Sequence, residues 1–430
     1  MIQRFFSPIL IFLSGLLFLY TFYKSEIFWK GDLREYYKVY YLFTLTAVIF
    51  SLSTLFFSDK IKQYLFITII STLLGVYFVE IFLTIKKTNN DRSIRIDNKG
   101  KEFDTRSRTQ VYKDLKNFNQ KVALTVSLKD LYQATNRKLY AFTGVSNTKT
   151  IRCNETGEYS FFKSDRFGFN NPNEIWDKKK IKYLIVGDSF AEGACVNRPH
   201  DLRSVISDVS GESALTLGVG GIGPLSELAI LREYLIHDVE NLIWLYYEGN
   251  DLKDLEVELN NPILKKYFKD ELFTQNLKEK QKIINEISRD HIKNKIKIID
   301  KEKINFNLNQ KFLKLYHLRQ FLHIYFSPNP NKNFKYVISK VLKITKQKNI
   351  NLYFVYLPEY NRYKLKFYPD KNYIMVKKIV ENLGIKFIDI NKKVFQDKKN
   401  SLELFPFEKF GHYTKQGYAE IGEEIYNHIK

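Results

Sequence analysis

Ser189 stands in Gly187-Asp188-Ser189-Phe190, directly after the apolar run 181–186. His412 stands in Gly411-His412-Tyr413-Thr414, directly before a stretch of helical pattern. A hydroxyl and an imidazole are the pair that acyl transfer requires: a nucleophile, and a base to take its proton. The reaction also needs N–H donors aimed at the developing oxyanion. Gly221, in the glycine-rich turn 218–224, can offer a backbone N–H, and Asn250, before Asp251, can offer its side-chain amide. Singly, each residue has a plainer reading. Gly-Asp-Ser triplets are common turns, Asn-Asp favours turns after strands, and a lone histidine is usually structural. The other six of the seven histidines have no motif around them. The glycine-rich turn lacks both the G-x-x-x-x-G-K-[ST] and the G-x-G-x-x-G spacing, which disfavours a nucleotide.

Four useful groups need elements that bring them together. The runs 181–186, 213–217, 241–247, 351–357 and 386–390 read as short buried strands, with helical patterns between them. Strands alternating with helices imply a parallel sheet covered on both faces. Ligands of such sheets bind beyond the carboxyl ends of the strands. Ser189, Gly221 and Asn250 follow the first three strands, and His412 enters the last helix, which starts near Lys415. The joint placement at one edge outweighs any single motif.

The first 90 or so residues differ in kind from the rest. Three apolar runs, 5–23, 39–57 and 64–83, each approach the ~20 residues that cross a hydrocarbon core. The first is long for a signal peptide and no A-x-A site follows, so it reads as a retained anchor. Glu80 lies inside the third run, where a carboxylate is a functional candidate by default; its place near the end of the run also lets it reach the interface. Arg4, Lys60 and Lys62 flank one side of the three spans; Lys24, Lys30, Arg34, Lys38, Lys86 and Lys87 flank the other. That count leans towards a cytoplasmic C-terminal domain, although long domains translocate largely regardless of charge.

The net charge of +21 over 430 residues invites a nucleic-acid reading. The lysines are scattered among Asn, Ile and Tyr, and no nucleic-acid-binding signature accompanies them, so a solvated basic surface is expected instead. The two cysteines, Cys153 and Cys195, form no CxxC pair and no zinc-type cluster. They are either two unrelated buried thiols or one disulfide, and a disulfide requires an oxidising compartment.

Gly187-Asp188-Ser189-Phe190 resembles the first block of the SGNH (GDSL) hydrolases. Gly221 matches the second-block glycine, Gly249-Asn250-Asp251 the third-block asparagine, and His412 the last-block histidine. The segments 164–171 and 193–196 also resemble membrane-linked bacterial members found among surface-polysaccharide genes. The resemblance implies an α/β fold: a flavodoxin-like three-layer α/β/α domain at 165–430 with a helical insertion at about 252–330. Ahead of it come a three-helix membrane anchor at 1–87 and a linker or entry subdomain at 88–164. It implies Ser189 as nucleophile and His412 as base, with an oxyanion hole made by the Ser189 and Gly221 N–H groups and the Asn250 amide. No metal or organic cofactor is implied.

The implied activity is ester hydrolysis or O-acyl transfer, with acetyl as the acyl group, on a cell-envelope polysaccharide. An acylated glycan and the membrane would be the partners; a transferase would need a separate membrane acyl-donor protein. The domain would face out of the cytoplasmic membrane. One position departs from the family, which places an Asp three residues before the histidine to fix its tautomer. That position is Lys409, with Glu408 beside it. The site is then a Ser189–His412 dyad, one whose ring a backbone carbonyl orients, or a degenerate fold that binds or assembles glycans.

Overall fold

The computed structural model describes residues 2–29, 31, 34–96, 103–118, 120–235, 238–301, 312–325, 329–330 and 332–430. Lys30 and parts of the expected linker and insertion (97–102, 119, 302–311, 326–328) lie outside the described residues. The chain forms two compact units.

The first unit holds 1–91 together with 259–265 and 304–323. Its three helices, Arg4–Phe28, Tyr37–Phe56 and Asp59–Lys86, are each long and apolar enough to cross a membrane. Where hydrocarbon surrounds a helix pair, small polar side chains supply the specific contacts. Ser14 and Ser51 share a hydroxyl hydrogen bond at 2.8 Å, and Thr54 donates to Ser7 at 2.9 Å. Glu80 is fully buried. Its carboxylate accepts the backbone N–H groups of His317 at 3.0 Å and Leu318 at 2.8 Å. Those are the first N–H groups of helix Tyr316–Tyr325, which have no partner within their own helix. Glu80 therefore caps a helix of the insertion, a structural use of an apolar-run carboxylate.

The second unit contains 92–258, 266–303 and 324–430. Its larger sheet has five strands: β4 (Lys180–Val186), β5 (Ala214–Thr216), β6 (Asp238–Tyr247), β7 (Asn351–Leu357) and β8 (Lys386–Asp389), preceded in the chain by three shorter strands, β1–β3, described below. All neighbours pair in parallel, in the order β5-β4-β6-β7-β8. This is the flavodoxin-like order, which leaves a switch point between the first and third strands. The strands read as apolar runs because both faces are covered. Ile185, Ile243, Leu245 and Val355 pack in one cluster with Leu202, Ile206, Ile421 and Ile425. Those four lie on helices Leu202–Ser210 and Lys415–Ile429. On the other face, Phe334 of helix Lys332–Gln347 meets Tyr246 and Phe354 edge-on at 5.8 and 6.4 Å.

A second, smaller sheet occupies part of the expected entry subdomain. β1 (Val122–Leu124) pairs in parallel with β2 (Lys149–Ile151), which pairs antiparallel with β3 (Phe161–Lys163). Helix Gln281–Lys301 of the insertion packs on it, with Ile292 joining Val111, Leu124 and Ile151. Asn285 accepts from the Ser146 N–H at 2.8 Å and donates to the Ser146 hydroxyl at 2.9 Å. This helix buttresses the small sheet.

Candidate active site

Ser189 opens a four-residue helix, Ser189–Glu192, straight after β4. The turn demands close approach. A side chain on Gly187 would meet Leu245 of β6 at 3.0 Å, and one on Gly218 would meet the Ala191 and Glu192 backbone at 2.2 Å. The first and second motif turns are thus packed against each other. Phe190 turns inward, stacking on Tyr247 at 4.1 Å and lying 4.9 Å from the His412 ring.

His412 is placed from the opposite end of the chain. Thr414 caps helix Lys415–Ile429 by accepting from the Gly417 N–H at 3.1 Å. Tyr413 is buried and donates to the Pro358 carbonyl at 2.7 Å, beyond the end of β7. The result is a direct hydrogen bond, 2.9 Å, between Ser189 Oγ and His412 Nε2.

The far nitrogen of the imidazole meets a carboxylate. Glu155 Oε1 and Oε2 lie 3.0 and 3.1 Å from His412 Nδ1, and the His412 backbone N–H donates to Oε2 at 2.6 Å. Gly411 makes room: a Cβ there would stand 2.7 Å from Glu155 Oε2. Burial pushes the Glu155 carboxyl up, but the hydrogen bonds and charge of His412, with Arg152 behind, outweigh it. The net result lies below the ordinary carboxylate value. Glu155 belongs to the irregular segment after β2, in the part of the chain read as linker. Glu408, the neighbouring candidate, accepts from Asn400 at 2.8 Å instead.

Cys153 and Cys195 form a disulfide. Cys195 Sγ lies 3.5 Å from His412 Nδ1. Glu155, Cys195 and His412 are the one cluster with metal-ligand spacing among the described residues. A disulfide sulfur is no thiolate, so this donor set does not fit a metal ion.

The remaining candidates share the same sheet edge. Gly221 is exposed in the turn after β5, with φ +79°, a conformation that favours glycine. Asn250 follows β6 and donates one amide N–H to Asp254 at 2.7 Å. Below the edge lies a layer of buried acids. Asp188 accepts from the Phe190 N–H at 2.9 Å. Burial pushes Asp254 and Glu258 up to about 7. Burial, reinforced by neighbouring carboxylates, drives Glu227 and Asp251 well above their usual values. At about 7, Asp254 and Glu258 are partly protonated at neutral pH.

No family model and no curated protein matches the chain. Solved structures do. A protein described as lipolytic and of the G-D-S-L family, from Desulfitobacterium hafniense, aligns at 13% identity with a TM-score of 0.32, over 58% of this chain and 99% of that one. A psychrotrophic esterase from Pseudoalteromonas, also solved inhibited by monoethylphosphonate, aligns at 11% identity with a TM-score of 0.28, over 58% and 96%. At such scores the likeness settles no residue's role; the site's own geometry must carry the functional reading.

Sequence reasoning missed Glu155. One signal pointed to it. A disulfide brings Cα atoms to within ~7 Å, and here they are 5.2 Å apart. Any pairing of Cys153 with Cys195, six residues after Ser189, must deliver Glu155 to the site as well.

Proposed function

We propose that this protein is a membrane-anchored serine esterase or O-acyltransferase of the SGNH type, working through Ser189, His412 and Glu155. The observation that carries the reading is the unbroken line from Ser189 Oγ to His412 Nε2, 2.9 Å, and from Nδ1 to Glu155, 3.0 Å. It has the geometry of nucleophile, base and orienting acid. Lys409 at the family's acid position invites a degenerate glycan-binding reading; the carboxylate on Nδ1 supports the catalytic one.

The steps follow from the atoms. Ser189 Oγ attacks the ester carbonyl carbon while His412 Nε2 takes the hydroxyl proton. Glu155 holds the Nδ1 proton, keeps the ring in the accepting tautomer, and faces the imidazolium that forms. The oxyanion receives the backbone N–H groups of Ser189 and Gly221 and the side-chain amide of Asn250. The carbonyl–oxygen bond to the alcohol then breaks, and His412 returns the proton to the leaving oxygen. Water, or a hydroxyl of an acceptor, attacks the acyl-serine by the same path in reverse. Water gives an esterase and a sugar hydroxyl gives a transferase.

The substrate we propose is an O-acetylated cell-envelope polysaccharide, presented to a domain outside the bacterial cytoplasmic membrane. The disulfide supports that placement, because such bonds persist in oxidising compartments. Three candidate spans are few to carry an acyl donor across a bilayer, so transfer would use a separate membrane partner.

A fluorophosphonate probe tests the nucleophile. The full chain in detergent should label, and Ser189→Ala should not. Equal, poor labelling of both would overturn the enzymatic reading.

A further inference from the structure

We propose that the Cys153–Cys195 disulfide is a positioning element of the catalytic triad, so that acyl transfer requires this bond to be oxidised. The proposal rests on the Ser189–His412–Glu155 reading and adds how its acid is held.

Glu155 has no regular element of its own. β2 ends at Ile151, and Glu155 sits in a loop closed by two backbone hydrogen bonds, Arg152 N–H to the Ser160 carbonyl at 2.9 Å and Ser160 N–H to the Cys153 carbonyl at 2.8 Å. Among the described residues, no strand of the five-stranded sheet pairs with this segment. Two consecutive residues of the loop link it to the nucleophile's side of the site, beside two bonds from β3: Phe161 N–H to Asn197 Oδ1 at 2.7 Å and Arg198 to the Lys163 carbonyl at 2.8 Å. Arg152 forms an ion pair with Glu192 at 2.7 Å. Its guanidinium also covers Gly220, where a Cβ would come within 2.0 Å of Nη2. Cys153 is bonded to Cys195, in the turn that follows the Ser189 helix. Glu155 is two residues further on, between Asn154, which donates to the Asp104 carbonyl at 2.8 Å, and Gly157, whose carbonyl accepts the Asp104 N–H at 2.8 Å; the staple and this clasp together limit its backbone to a short arc around His412.

The staple also touches the base. Cys195 sits in the left-handed region at φ +65°, which a non-glycine side chain adopts only when its surroundings impose it. There its sulfur rests 3.5 Å from the same Nδ1 that Glu155 faces. In the disulfide that sulfur has no proton to donate. A Cys195 thiol in its place could bond Nδ1 and compete with Glu155.

Cys195 is buried and Cys153 half-buried. A cavity of about 330 Å³ beside the bond is lined by Thr156, Ser160, Cys195, Val196, Asn197 and Thr414, among others. A dithiol attacks as thiolate on one sulfur, breaks the S–S bond and forms a mixed disulfide. Its second thiol then displaces the remaining protein thiol. Two electrons and two protons pass to the protein, which ends with two thiols, and the reductant leaves as its own disulfide.

The experiment uses the detergent-solubilised full chain and p-nitrophenyl acetate as probe substrate. Turnover is measured before and after reduction with dithiothreitol, in wild type and Glu155→Gln. Circular dichroism and non-reducing mass spectrometry follow fold and thiols. Reduction should lower kcat at least tenfold in wild type with little change in KM. It should cost Glu155→Gln almost nothing further, because the group it positions is already gone. Re-oxidation should restore wild-type turnover. Unchanged wild-type kcat on full reduction would sink the proposal. So would an equal loss in both proteins, which marks a purely structural bond. A Cys153→Ala/Cys195→Ala protein that folds and keeps full kcat has the same consequence. Absence of Ser189-dependent turnover in the oxidised protein would instead remove the esterase reading beneath it.

Discussion

The large parallel sheet and the small three-stranded sheet both place groups in the candidate site, by opposite means. The large sheet works by topology. Its order puts the ends of β4, β5 and β6 side by side, so Ser189, Gly221 and Asn250 arrive together because each follows a strand. The small sheet works by attachment. Its three strands are three residues each, and Glu155 reaches His412 through a loop, an ion pair and a disulfide. A group placed by a ladder of hydrogen bonds is positioned many times over. A group placed by a few tethers is as well positioned as those tethers.

The largest effect that separates the two regions lies in the acid. Glu155→Gln keeps the shape but lets Nδ1 adopt the wrong tautomer. In the best-studied triad, that kind of change costs ~10⁴ in kcat. We expect a loss on the order of 10² to 10⁴ here, with KM nearly unchanged. Lys409→Ala and Glu408→Gln, at and beside the family's usual acid position, should stay within about threefold of wild type, since neither touches the imidazole. Steady-state kinetics on an activated ester would decide it. A large loss in Lys409→Ala with none in Glu155→Gln would return the acid's role to the last motif.

A smaller effect should follow from Gly411→Ala. The added methyl would stand 2.7 Å from Glu155 Oε2, so the tethered carboxylate must move. Misplacement of about 1 Å can cost 10² in rate. We expect roughly a tenfold loss in kcat, smaller than for Glu155→Gln because the charge remains. A crystal structure of the variant should show the carboxylate displaced from Nδ1. An undisturbed site with full activity would mean that the loop gives way freely.

The same contrast governs what was legible. All five strands of the large sheet were readable within two or three residues, because strands buried on both faces are continuous apolar runs. Runs such as 241–247 and 351–357 have little polar interruption. Asp238–Tyr247 begins three residues earlier than the apolar run because Asp238 and Val239 still pair with Lys180 and Ile181 of β4, although Asp238 is polar. The strand order was not legible in the runs themselves; it came with the family resemblance, whose flavodoxin-like expectation the order β5-β4-β6-β7-β8 meets. The small sheet was invisible: three residues show no period of two. Glu155 was invisible for a related reason. Its partner is 257 positions away, and the only sequence trace of that contact is a pair of cysteines whose bonding composition leaves open.

The smallest effect we expect is on stability, and its sign differs between the regions. Glu155 is held below the ordinary carboxylate range. It contributes stability above its unfolded value that is lost as pH falls through the folded one. Asp254 and Glu258, under the large sheet, are pushed up to about 7. Burial is the main cause for both; the charge of Asp188 adds to it at Asp254, and hydrogen bonds from the Gly223 and Ser226 N–H groups oppose it at Glu258. Their contribution is fully present below the unfolded values near 4 and is lost as pH rises through about 7. Acidifying from pH 8 to about 5 should therefore stabilise the second unit, while Glu155 stays ionised and in place. Fluorescence of buried Trp244 on β6 offers a local readout in thermal melts of the full chain. The transition should rise by several degrees on acidification, as expected for one to two kcal/mol in a unit of this size, ~2–4 °C per kcal/mol. Asp254→Asn with Glu258→Gln should reduce that rise, leaving the share of Glu227 and Asp251, whose carboxyls also lie well above their usual values; Glu155→Gln should leave it intact. A slope unchanged by the double substitution would show that Asp254 and Glu258 do not hold the protons, and a slope abolished by Glu155→Gln would place them on the tethered side instead.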